Sequence, residues 1–171
     1  CLRVLDGAVA VFDASSGVEC QSETVWRQAD RYRVPRIAFI NKVDKVGADI
    51  DMCLNDLRER LGARPVLVTL PGEDGVLLDA LTQEAIVYES DDGRRYQRRP
   101  ADVAAAHARL VEACAEVDEE VMQAYVAGRP PTRIALERAL RKGTLEGTLL
   151  VVLSGSALKN RGIHPLLDAI V

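Results

Sequence analysis

The sequence predicts an α/β fold organised around a parallel sheet. Short apolar runs at residues 7–13, 37–40 and 148–153 each end in polar residues. Strands buried on both faces read this way when they deliver side chains to the carboxyl edge of a sheet. Between the first two runs lies a segment with helical spacing, so that strand, helix and strand follow one another as in a parallel βαβ unit. Between the second and third runs the patterning changes to short strands and turns followed by helices.

Gly7-Ala-Val-Ala-Val-Phe-Asp13 is the first strand, and Ser15-Ser16-Gly17 turns out of it. Residues 21–33 place Val25, Ala29 and Tyr32 at helical spacing, with Pro35 as the stop. After the 37–40 strand, Asp49 is positioned to cap a helix whose apolar stripe is Ile50, Cys53 or Leu54, Leu57 and Leu61, closed by Gly62. Residues 63–70 predict one strand, 71–75 a loop, and 76–89 one or two strands. Asp91-Asp92-Gly93 is a hairpin turn, leading into the basic run from Arg94 to Arg99. Residues 101–126 predict one long helix, because Val103, His107, Leu110, Cys114, Val117, Val121 and Tyr125 step by three or four. Gly128-Arg129-Pro130-Pro131 breaks it. Thr132 caps a shorter helix to about residue 142, ended by Gly143. After the 148–153 strand, Ser154 to Ala157 form a turn, and a last helix from residue 164 carries Leu166, Leu167 and Ile170.

With 171 residues the chain has room for one domain, or one and a small second. Its 48% apolar content supports a core, and 28% charged residues a solvated surface. A net charge of −4 carries no signature of nucleic acid or membrane binding. No apolar run approaches the ~20 residues of a membrane span, and residues 1–12 lack the cleavage pattern of a signal peptide. Cys1, Cys20, Cys53 and Cys114 are scattered, with no C-x-x-C and neither His107 nor His164 near them. Free thiols in a reducing cytosol are expected, and no zinc or other metal site.

The chemistry concentrates where the 37–40 strand ends, at Asn41, Lys42 and Asp44. Asp44 offers two carboxylate oxygens to a ligand edge with two adjacent donors. Guanine has that edge, N1–H beside the 2-amino group; adenine would leave the carboxylate unpaired. A site built on such a pair rejects the wrong ligand by roughly 10⁴-fold or more. Asn41 can bond the base or neighbouring loops, and the Lys42 stem can lie along the base. Asn-Lys-x-Asp is the guanine-specificity motif of GTPases, although an ordinary polar turn uses the same residue types. The 148–153 strand ends in a second polar turn, Ser154-Gly-Ser-Ala-Leu-Lys159. There a backbone N–H can donate to guanine O6, and glycine permits close backbone approach.

Longer strings extend the pattern. Asp6 to Glu19, Gln21 to Asp30, Pro35 to Asp44, Gly47-Ala-Asp49, Ala63-Arg-Pro65, Arg141-Lys-Gly-Thr144 and Gly155-Ser-Ala-Leu-Lys-Asn-Arg-Gly162 together resemble the GTPase domain of the elongation factor G family of translation factors. The resemblance covers essentially the whole chain. It implies the C-terminal half of a P-loop GTPase parallel sheet, with helices on both faces and an inserted α+β subdomain. Residues 1–62 and 147–171 would be the GTPase part and 63–146 the insert. Asn41, Lys42, Asp44, Ser156, Ala157 and Leu158 would bind the base of GTP or GDP. It also implies a cytoplasmic protein promoting ribosomal translocation, with the insert contacting the ribosomal stalk protein, and no sequence-specific DNA partner. The insert accounts for the 112 positions from Asp44 to Ser156.

Residues 71–79 look shortened against the family, and the Arg94 to Arg99 run is more basic than usual for it. No Gly-x-x-x-x-Gly-Lys-[Ser/Thr] phosphate loop occurs in the sequence. That loop, the switch segments and the magnesium-handling motif of the family would precede Cys1, so Mg²⁺ is expected only in a longer parent. No catalytic residue is assigned, and these residues alone are not expected to hydrolyse GTP. Three alternatives stay open: a paralogous ribosome-associated GTPase, a non-translational relative, and an interaction module whose work lies in residues 63–146. The 7–13 strand, with no lysine, proline or charge from Ala8 to Phe12, is expected to present an unpaired apolar edge.

Overall fold

The structure, a computed structural model, describes residues 4–171. The first half contains β1 (Ala8–Asp13), α1 (Cys20–Arg31), β2 (Arg36–Asn41), α2 (Ile50–Glu59) and β3 (Pro65–Leu67). Four short strands follow: β4 (Thr69–Pro71), β5 (Leu77–Asp79), β6 (Glu84–Tyr88) and β7 (Tyr96–Pro100). Helices α3 (Ala104–Ala115), α4 (Glu119–Val126) and α5 (Arg133–Glu146) come next, then β8 (Leu150–Ser154) and α6 (Ile163–Ile170).

One sheet is parallel throughout, in the order β1-β2-β8-β3. The other is antiparallel, β4-β5-β6-β7. The α/β class and the parallel sheet with helices on both faces are therefore as the sequence predicts. Alternation along the strands feeds two cores. Phe12, Ala38, Ile40, Leu150 and Val152 point to one face, under Trp26 of α1 and Cys53, Leu54 and Leu57 of α2. Ile37, Phe39, Val151 and Leu153 point to the other, against Leu110, Val111 and Cys114 of α3 and Leu136, Ala139 and Leu140 of α5. The second core continues without a break to Ala80 and Leu70 of the antiparallel region.

Several elements differ from expectation. The strand expected over 63–70 is two strands in two sheets. β3 pairs parallel with β8, while β4 pairs antiparallel with β5. Val68 lies between them, its N–H donating to the Val152 carbonyl at 2.8 Å and its carbonyl accepting from Ala80. β1 is not buried on both faces. Among the described residues it is an edge strand paired only with β2, and Val9 and Val11 are 37% and 59% exposed. No described helix covers that side of it, because α3 and α5 sit over β2, β3 and β8. Helix α1 buries Trp26 and Ala29 rather than Val25 and Tyr32, which are exposed. The indole decides the rotation: it packs on Phe12 and carries the Arg36 guanidinium 4.2 Å above its ring. In α6, Ile163 and Leu166 pack against the core while Leu167 and Ile170 face outward.

The long helix expected over 101–126 is broken. Asp118 ends the run by capping α4, accepting the Val121 N–H at 3.2 Å. It also receives a two-pronged contact from the Arg138 guanidinium, at 2.9 and 3.0 Å. The cap and the ion pair outweigh the continuous stripe. Gly143 does not end α5, which runs on to Glu146 and closes at Gly147 in the left-handed region. Gly143 is there for space: a Cβ would sit 2.7 Å from Leu149 Cγ. Thr132 and Asp49 cap α5 and α2 as predicted, through the N–H groups of Ala135 and Met52. Cys20, Cys53 and Cys114 are free; Cys1 lies outside the described residues. Burial pushes the Cys53 thiol up to about 11 and Cys114 up to about 12, so both stay protonated and inert.

Asp118 yields a pH-dependent test. Arg138 beside it holds its carboxyl below the usual carboxylate range. A group depressed in the folded state stabilises above its unfolded pKa, about 3.9, and loses that contribution as the pH falls through the folded value. Asp118→Ala is expected to cost about 2 kcal/mol at pH 7 from the lost cap and charged hydrogen bonds. Urea unfolding should show this gap at pH 7 and show it shrinking steadily below pH ~4.

Candidate functional site

The parallel register aligns three strand ends. Asp13 pairs with Asn41 across β1 and β2, and Ile40 with Ser154 across β2 and β8. Polar residues predicted at separate strand ends thus meet on one carboxyl edge, the usual ligand position in open α/β sheets.

Asn41 joins the two turns. Its Oδ1 accepts the Lys42 N–H at 2.8 Å and the Ala157 N–H at 2.9 Å. Two backbone bonds reinforce the junction, Gly155 N–H to the Ile40 carbonyl at 3.0 Å and Val43 N–H to the Gly155 carbonyl at 3.2 Å. Lys42 has φ +65°, a left-handed conformation uncommon for a side chain of this size, which swings the chain out of the strand. Its Nζ is drawn across to the Asp13 carboxylate. Lys42 and the Ser15 hydroxyl and N–H hold the Asp13 carboxyl well below the usual carboxylate range.

Asp44 receives the Lys159 ammonium at 2.8 Å. That contact outweighs the opposing effect of burial, lowers its pKa and keeps it an acceptor. Ser156 is buried and Leu158 is 95% exposed. The Ala157 N–H is already engaged by Asn41, so a carbonyl on a ligand would have to share it. Gly155 serves the loop itself: a Cβ there would lie 2.2 Å from the Arg161 carbonyl and 3.0 Å from Phe39. That close approach is internal, where the sequence left open an approach to a ligand.

All six sequence-selected residues, Asn41, Lys42, Asp44, Ser156, Ala157 and Leu158, lie on these two adjoining turns. Sequence reasoning missed Asp13 and Lys159 as partners of Lys42 and Asp44. Asp13 had a signal, since it closes an apolar run as Asn41 does. Lys159 had none beyond its place in the turn. A cleft of about 740 Å³ between Trp26, Arg36, Arg64 and Thr148 opens at the opposite, amino ends of β2 and β8 and shares none of these groups. Among the described residues, no cluster of three or more His, Cys, Asp or Glu side chains is arranged to hold a metal ion.

A parallel sheet presenting an Asn-Lys-x-Asp turn beside a Ser-Ala-Leu turn has the arrangement of a nucleotide-binding α/β domain. Residues 1–171 match the family described as the elongation factor Tu GTP binding domain, and the chain belongs to that family. It is also similar to a protein from Thermus thermophilus of known crystal structure. The identity is 30% and the TM-score 0.84, over 99% of this chain and 26% of that one. This chain therefore spans about a quarter of that relative's length. No described helix is long and apolar enough to cross a membrane.

The double acceptance by Asn41 is testable without a ligand. Asn41→Ala leaves two N–H groups without their acceptor, a loss of about 1–3 kcal/mol. Amide exchange at Lys42 and Ala157 should accelerate by roughly tenfold or more, while exchange at Val152 in the centre of β8 stays unchanged.

Proposed function

We propose that this chain is the base-recognition part of a translational GTPase of the elongation factor G type, which drives ribosomal translocation at the expense of GTP. The observation that carries the reading is the hydrogen-bonded junction of the 41–44 and 155–158 turns on adjacent parallel strands. In this reading Asp44, kept anionic, takes the two adjacent donors of guanine. Asn41 and the Lys42 stem border the base, and Ser156, Ala157 and Leu158 close the pocket. Ser156, buried at the start of the second turn, fixes where that turn leaves the strand.

The phosphates and Mg²⁺ would be held by residues of a longer parent. The match to a quarter of the Thermus protein's length supports this, as does the lack of a phosphate-loop sequence in these 171 residues. The Mg²⁺ would neutralise charge on the phosphates when bound, and no residue here is assigned to it. The stretch 63–146 is proposed as an insert that reaches a ribosomal protein of the stalk. Exposed Met122, Tyr125 and Val126, spaced by three and four on α4, support a protein partner for it. A cytoplasmic location follows from work on the ribosome.

Asp44→Asn in the full-length factor tests the base assignment. Asparagine can donate to the 2-oxo group of xanthine, which replaces the 2-amino group of guanine. Equilibrium titration should show GTP affinity falling by roughly 2–5 kcal/mol, with affinity for xanthosine triphosphate gained. Unchanged GTP binding would sink the assignment.

A further inference from the structure

The 155–162 loop has two sides. One side faces the 41–44 turn, through Ala157 N–H and Lys159 Nζ. The loop is tight enough to transmit a push from its other side. Ser156 and Arg161 exchange backbone bonds at 2.9 and 3.0 Å, and Asn160 is left-handed at φ +53°.

The other side rests on the β6–β7 hairpin, from the antiparallel sheet. The Tyr88 hydroxyl accepts the Gly162 N–H at 2.6 Å. The Arg161 guanidinium lies 5.5 Å from the Tyr88 ring centroid. His164, just beyond the loop, packs on Tyr96 with centroids 5.0 Å apart. At the hairpin turn Gly93 comes so close that a Cβ would lie 2.3 Å from the Lys159 carbonyl oxygen and 2.8 Å from that of Asn160. Gly93 also has φ +66°. Two separate contacts, one polar and one steric, thus fix the carbonyls and N–H groups of a loop whose opposite side addresses Asp44.

We propose that the β6–β7 hairpin sets the base-recognition loop in place, with Tyr88 and Gly93 as positioning residues for guanine selectivity. The inference rests on the guanine reading of the 41–44 and 155–158 turns. Neither residue touches the base; both act through the loop, which places Lys159 against the Asp44 carboxylate. The same contacts join the antiparallel sheet to the base pocket. Anything that shifts this hairpin therefore shifts the pocket, and by reciprocity a bound base stiffens the hairpin.

The test uses the full-length factor with fluorescent GDP and IDP, which lacks the 2-amino group. Tyr88→Phe removes the acceptor of the Gly162 N–H and little else. Gly93→Ala adds a methyl against two backbone carbonyls. Both variants should speed GDP dissociation, about tenfold for Tyr88→Phe and more for Gly93→Ala. Both should lower the preference for GDP over IDP several-fold, since Asp44 is no longer held to read the 2-amino group. A merely structural role would lower Tm and leave that preference intact, and this result, or unchanged dissociation in both variants, overturns the proposal. Asp44→Asn run alongside separates the two levels. If it leaves GDP binding intact, the guanine reading fails and the hairpin proposal with it. If it weakens GDP while the hairpin variants leave the GDP-to-IDP preference unchanged, only the hairpin proposal fails.

Discussion

The Asn41 side chain is the constraint on which the rest of the site depends. A single carboxamide oxygen takes N–H groups from Lys42 and Ala157, and so ties together turns 116 positions apart in sequence. It can do so only because β2 and β8 are the central neighbours of the parallel sheet, in a register that sets Ile40 beside Ser154. That register is held by the two cores. A slip by one residue would turn Phe39 and Leu153 to the wrong face. Packing in the sheet is thus converted into close placement of polar groups at its edge.

Charge at this edge is arranged in two opposed pairs, Asp13 with Lys42 and Asp44 with Lys159. Partly exposed pairs of this kind contribute little stability. Their effect is on orientation and protonation. Each carboxylate is held ionised, and each lysine is drawn across the strand ends instead of outward into water. Asp44 is therefore a ready acceptor, but its Lys159 contact has to be shared or given up when donors on a ligand arrive.

The sequence is informative where one physical rule acts alone. The buried strands β2 and β8 were legible from unbroken apolar runs, and the caps at Asp49 and Thr132 from residue type just before a helical stripe. That the six selected residues would meet on one edge was legible because the carboxyl ends of neighbouring parallel strands lie side by side. Legibility failed where two rules compete. The stripe from Val103 to Tyr125 reads as one helix, yet the Asp118 cap and its Arg138 partner break it. Gly143 reads as a stop but is a space-saver beneath Leu149. Val25 and Tyr32 keep helical spacing but yield the buried face to the larger Trp26. The 91–93 hairpin turn was legible, but its seat under the 155–162 loop was not, since Tyr88 and Gly93 meet Gly162 and Lys159 only through the tertiary fold.

The central claim is that the two turns form one guanine site, and weak binding is enough to test it. Amide chemical shifts of the 171-residue chain should be followed while guanosine, and separately adenosine, is added to millimolar concentration. Guanosine is predicted to move Lys42 to Asp44 and Ala157 to Lys159 together, on one saturation curve, with adenosine leaving both turns unmoved. Shifts confined to one turn, equal responses to the two nucleosides, or a response centred on the cleft beside Trp26 would contradict the account.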